Sequence, residues 1–84
     1  MKVEVKYFAL LREAAGKDAE TVELEGAAPV LGDLLDTLEG RGGSLGNLVR
    51  ERPVLCSINM NYAGRDAVLA EGDEVAIFPP VSGG

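Results

Sequence analysis

The residues with the most distinctive chemistry stand last, where Pro79-Pro80-Val81-Ser82-Gly83-Gly84 closes the 84-residue sequence. Adjacent prolines stiffen a chain as it leaves a folded body, while Gly83 and Gly84 lack a Cβ and can lie extended in a channel too narrow for other residues. With Gly84 last, the group expected to be presented is its carboxylate. A free carboxylate is a poor electrophile, so a reaction there requires activation, and a mixed anhydride with AMP is the biochemical form of it. The chain has no phosphate loop of the G-x-x-x-x-G-K-[ST] kind, and Gly40-Arg41-Gly42-Gly43 lacks the lysine and preceding strand that such a loop needs. The expectation is a substrate that is non-catalytic on its own and binds no cofactor, ATP being used by a partner enzyme.

Composition excludes several other chemistries. There is no histidine and Cys56 is the single cysteine, which rules out an internal disulfide and a Cys/His zinc site, so no metal is expected. Without a histidine to activate it, Cys56 reads as a small core hydrophobe. A formal net charge of −6 repels phosphate backbones and anionic lipid, and points to protein partners with basic surfaces rather than to nucleic acid or membrane. The alternating start Met1-Lys2-Val3-Glu4-Val5-Lys6 is not a signal peptide, and no apolar run is long enough for a membrane span, so a cytoplasmic location is expected.

The elements that must position the tail follow from hydrophobic spacing. Val3, Val5, Tyr7 and Ala9 alternate with charged residues and predict a strand over 2–9 with those four facing inward. Leu10–Ala15 is rich in helix formers and stops at Gly16, and Val22 with Leu24 marks a second strand over 20–25 that pairs with the first. Leu31, Leu34, Leu35 and Leu38 form the i, i+3, i+4, i+7 stripe of the main helix, 29–40. Its start looks poorly capped, because Ala27-Ala28 precede Pro29 where Ser, Thr or Asp would be expected. Residues 44–50 suggest only a short turn, since the stretch is brief and Gly43 and Gly46 stand before and within it. Val54, Cys56, Ile58 and Met60 predict a third strand with those side chains on its apolar face. The turn Glu71-Gly72-Asp73 feeds a last strand over 74–78, which Pro79-Pro80 ends. Strand, strand, helix, strand, strand in so short a chain predicts an α+β fold, a β-grasp (ubiquitin-like) roll in which one main helix packs across a mixed sheet. Residues 1–84 then form one domain, of which 79–84 are a flexible, protruding functional tail.

With these motifs in place, the chain resembles the molybdopterin synthase small subunit (MoaD) family of ubiquitin-like sulfur carriers, related to ThiS of the thiamin pathway. The resemblance rests on Tyr7-Phe8-Ala9, Leu11-Arg12-Glu13, Gly32-Asp33-Leu34-Leu35, Ile58-Asn59, Gly72-Asp73-Glu74-Val75 and, most specifically, Phe78-Pro79-Pro80-Val81-Ser82-Gly83-Gly84. It implies that Gly84 is adenylated by an E1-like enzyme of the MoeB type and converted to a thiocarboxylate with sulfur from a donor protein. The sulfur then passes to molybdopterin within a complex with the MoaE-type large subunit. It also implies partner docking on the sheet face, for which Phe8, Tyr62 and Phe78 are the candidate apolar anchors and Arg12 a candidate polar contact. For Phe8 and Phe78, burial in the core is the competing expectation. Three other functions fit the residues: a sulfur carrier for thiamin or tRNA thiolation, a ubiquitin-like modifier conjugated through Gly84, and a binding module with an idle tail.

Overall fold

The computed structural model describes residues 1–80. Five strands form one mixed sheet: β1 (Lys2–Tyr7), β2 (Ala19–Glu23), β3 (Leu55–Ile58), β4 (Asn61–Ala63) and β5 (Glu74–Phe78), in the order β2-β1-β5-β3-β4. β1 and β5 run parallel at its centre, and the other neighbours are antiparallel. Three helices, α1 (Leu10–Ala15), α2 (Leu31–Gly40) and α3 (Gly43–Glu51), complete the β-grasp arrangement. The alternation read in β1 holds through Tyr7: Val3, Val5 and Tyr7 join Val22, Val75 and Ile77 beneath the leucine stripe of α2, all essentially solvent-free. Burying side chains of this size contributes about 1.5–3 kcal/mol each, which makes this sheet-to-helix layer the main source of stability.

Four local expectations need correction. Ala9 is exposed rather than inward, because the strand ends at Tyr7 and Ala9 takes φ 53 where the chain turns into α1. Met60 is 91% exposed instead of facing the core. The third strand stops at Ile58, Asn59 and Met60 adopt φ 49 and φ 74 in a tight hairpin, and the chain returns as β4, which the pattern of alternation had concealed. α2 is not poorly capped: the Asp33 carboxylate accepts the Val30 N–H at 2.8 Å, and the Leu31 and Gly32 N–H groups donate to the carbonyls of Ala67 and Arg65, each at 2.8 Å. The loop before β5 thus supplies what a Ser or Thr cap would have supplied.

The fourth correction is α3, a nine-residue helix where a short turn was expected. Gly46 within it is a packing residue rather than a breaker. A Cβ at Gly46 would stand 2.9 Å from the Glu39 carbonyl oxygen and 3.0 Å from that of Leu38, so only glycine lets α3 lie directly against the end of α2. The gain from this close approach offsets the propensity cost of glycine, about 1 kcal/mol.

Candidate functional site at the tail exit

β5 carries the chain to the tail. Val75 and Ile77 are fully buried, and Pro79 and Pro80 follow Phe78 without ladder pairing, ending the sheet as expected. Val81, Ser82, Gly83 and Gly84, the expected presentation residues and reactive terminus, lie outside the described residues.

The sheet face opposite the helices is apolar near this exit. Phe78 makes an edge-to-face contact with Phe8, ring centroids 6.5 Å apart at 82°, and a tilted contact with Tyr62 at 5.9 Å. Tyr62 opposes Ser57 across β3–β4, and Ser57 opposes Ala76 across β3–β5. Small residues therefore floor a depression of about 650 Å³ whose rim holds Phe8, Phe78, Tyr62 and Met60. Phe8 is 46% and Tyr62 75% exposed, which answers the competing expectation for Phe8 in favour of the surface; Phe78 is half-buried between them. At the depression's edge the Lys6 ammonium and Glu74 carboxylate pair at 3.3 Å, both about half exposed, so the pair orients side chains more than it stabilises.

Arg12 is not brought to this cluster. It lies exposed on α1, with its guanidinium 3.8 Å from the Asp18 carboxylate. Sequence reasoning missed Met60 as a surface residue; the signal available was its position between Asn59 and Asn61, two residue types that favour turns. Asn59 fixes that turn, donating from its amide to Asp73 at 2.9 Å and accepting the Glu74 N–H at 3.0 Å.

The titratable groups in the interior, Cys56, Tyr7 and Glu20, are shifted by burial and by their neighbours. Burial pushes the Cys56 thiol up to about 11, against a smaller lowering by Arg65, so it is held as the neutral core thiol anticipated. Tyr7 donates its hydroxyl proton to Glu20 at 2.5 Å, and Arg41 at the end of α2 donates to the other Glu20 oxygen at 2.8 Å. Burial raises the Tyr7 hydroxyl far above its usual value, and the Glu20 carboxylate adds to the shift. For Glu20 burial alone would raise the carboxyl, but the hydrogen bonds from Tyr7 and Arg41 outweigh it and leave the group below its usual value. Among the described residues no group of three or more His, Cys, Asp or Glu side chains could hold a metal ion, and no helix is long and apolar enough to cross a membrane.

A β-grasp sheet that delivers a Pro-Pro exit beside an aromatic face agrees with the family match, in which the ThiS family model covers residues 5–84. The chain belongs to the ThiS family. As a ThiS-family protein it is 42% identical to small archaeal modifier protein 1 of Haloferax volcanii over 98% of this chain and 100% of that one. It is also 32% identical to the molybdopterin synthase sulfur carrier subunit of Escherichia coli over 98% of this chain and 99% of that one. Among solved structures, a Pyrococcus furiosus protein assigned as molybdopterin converting factor subunit 1 superimposes on this ThiS-family chain with a TM-score of 0.80. That protein is 35% identical over 96% of this chain and 99% of its own length. The resemblance to ubiquitin-like sulfur carriers, drawn first from short motifs, is thereby borne out along the chain.

Proposed function

We propose that this protein is a cytoplasmic sulfur carrier for molybdopterin synthesis, loaded and unloaded at the carboxylate of Gly84. The observation that carries the reading is the exit of β5 through Pro79-Pro80 beside the exposed Phe8, Phe78 and Tyr62 cluster, in a chain matching molybdopterin synthase sulfur carrier subunits along its length. In the first step a carboxylate oxygen of Gly84 attacks the α-phosphate of ATP in an adenylating partner of the MoeB type, forming the acyl adenylate and releasing pyrophosphate. Hydrosulfide delivered by a donor protein then attacks the same carbon, the C–S bond forming as the C–O bond to AMP breaks, so that AMP and a proton leave and the thiocarboxylate remains. In the MoaE-type large subunit the thiocarboxylate sulfur, a better nucleophile than oxygen, forms a C–S bond to the molybdopterin precursor, and water then cleaves the acyl–sulfur bond, leaving the sulfur on the precursor and restoring the Gly84 carboxylate. Tethering the sulfur to a folded domain keeps it from release as sulfide and brings it to the acceptor already oriented. The domain itself contributes recognition through Phe8, Tyr62, Phe78 and Met60, whereas the catalytic groups and ATP belong to the partners.

Similarity to small archaeal modifier protein 1 favours a second reading, in which the same adenylate is passed to the amine of a target lysine to form an isopeptide bond. One experiment distinguishes the two. The protein is incubated with its host's adenylating enzyme, ATP and a sulfur source, and its intact mass is compared with that of a variant lacking Gly84. An increase equal to one sulfur replacing one oxygen, confined to the full-length chain, is the expected result. No such increase, with higher-mass conjugates instead, would establish the modifier reading.

A further inference from the structure

The apolar surface around the tail exit has two parts, and one residue divides them. Ala9 sits at φ 53 and ψ −127, a conformation that a residue with a Cβ adopts only at a cost in energy. The backbone on either side pins it there: the Phe8 N–H donates to the Ile77 carbonyl at 3.2 Å, and the Phe8 carbonyl accepts the Leu11 N–H at 3.0 Å. The flanking residues are both large, apolar and unusually open, Phe8 at 46% and Leu10 at 50% exposure. Phe8 joins the aromatic depression on the open sheet face. Leu10 joins a second depression, a groove of about 440 Å³ lined by Leu10, Leu48, Pro53, Val54, Pro79 and Pro80, with Arg52 also along its wall. The two depressions share no residue: Phe78 lines the first, and Pro79 and Pro80, which follow it, line the second.

We propose that this groove receives an apolar anchor side chain of the adenylating enzyme, on a segment carrying a carboxylate to meet Arg52, so that this partner holds the tail base from both flanks. The inference rests on the carrier reading. Its occupant follows from continuity: Pro79 and Pro80 are themselves the wall of the groove, so a protein enclosing the tail at its base covers Leu10 and Leu48 in the same act. The benefit is directional. A partner that held only the aromatic face would leave the exit free to pivot, whereas contact on both flanks fixes the line along which the glycines enter the active site. The strained Ala9 is the backbone feature between Phe8 and Leu10 that sends their exposed side chains to different depressions, and such strain persists where the surrounding structure enforces it.

The test measures binding of the full chain to its host's adenylating enzyme together with sulfur loading read by intact mass. Leu10→Glu is expected to weaken binding about tenfold or more, the scale of a central anchor, while Leu10→Met stays within about threefold. Because Leu10 is half exposed and opens α1, both variants should unfold at the wild-type temperature; Leu10→Gln, which preserves length and helix propensity, repeats the comparison if Leu10→Glu does not. Wild-type loading with unchanged affinity in the folded Leu10 variants overturns this proposal alone. Failure of the wild-type chain to load on an enzyme active toward another carrier overturns the carrier reading and this proposal with it.

Discussion

Replacing Gly46 by alanine should destabilise the protein even though alanine is the better helix former. The added Cβ would stand 2.9 Å from the Glu39 oxygen and 3.0 Å from the Leu38 oxygen. A relaxed carbon-to-oxygen contact needs about 3.3 Å or more. Both obstacles are backbone carbonyls at the end of α2, which cannot swing aside as a side chain would, so α3 must retreat by several tenths of an ångström. Overpacking of this kind costs about 1–3 kcal/mol, and an intrinsic gain of about 1 kcal/mol for Ala over Gly in a helix opposes it. Because the obstruction is rigid and twofold, we place the net loss at roughly 1–2 kcal/mol, which in a domain of this size lowers Tm by roughly 5–15 °C. Thermal melts followed by circular dichroism, with urea titration to confirm an unchanged m-value, provide the measurement. A second readout is affinity for the proposed adenylating partner, since α3 carries Leu48 and the groove moves with it. An unchanged or higher Tm would refute the reasoning and mean that α3 is not seated on α2 through Gly46.

Two further perturbations follow from the same geometry. Met60→Gly removes a side chain from a left-handed position that costs about 1–2 kcal/mol for an L residue and should raise Tm while weakening binding to the proposed adenylating partner; unchanged binding would reduce Met60 to a turn residue. Glu20 has a lowered folded-state pKa, so its contribution is present above its unfolded value of 4.5 and is lost as pH falls through the folded value. Glu20→Gln should accordingly lower stability at pH 7 and flatten the loss on acidification below about pH 4.5. An acid limb identical to wild type in urea titrations across that range would show that Glu20 is not the group responsible.

Most of the fold was legible because the relevant forces are local. The leucine stripe of α2 and the alternation of β1 and β5 report burial directly, since each period matches one face of one element. α3 and β4 were not legible, and for different reasons. Gly46 carries meaning only through the carbonyls of another helix, a contact invisible in its own neighbourhood, and composition alone made it a breaker. Met60 extended an apparent alternation past Ile58 because the turn places an apolar side chain where glycine would be usual. The site was half legible. Aromatic identity marked Phe8, Tyr62 and Phe78, but their exposure depends on an open sheet face, and the groove at Leu10 depends on the turn at Ala9, which no propensity foretells.

The central placement of β5 has a mechanical consequence. Glu74 to Ile77 are paired with Glu4 to Tyr7 on one side, and Val75 to Phe78 with Ile58 to Leu55 on the other. Ladder hydrogen bonds lie across the strands, so a pull along the tail loads both ladders in shear, and their bonds must yield together rather than unzip one by one. A partner that pulled on the chain beyond Phe78 would therefore meet a body that resists tension without unfolding.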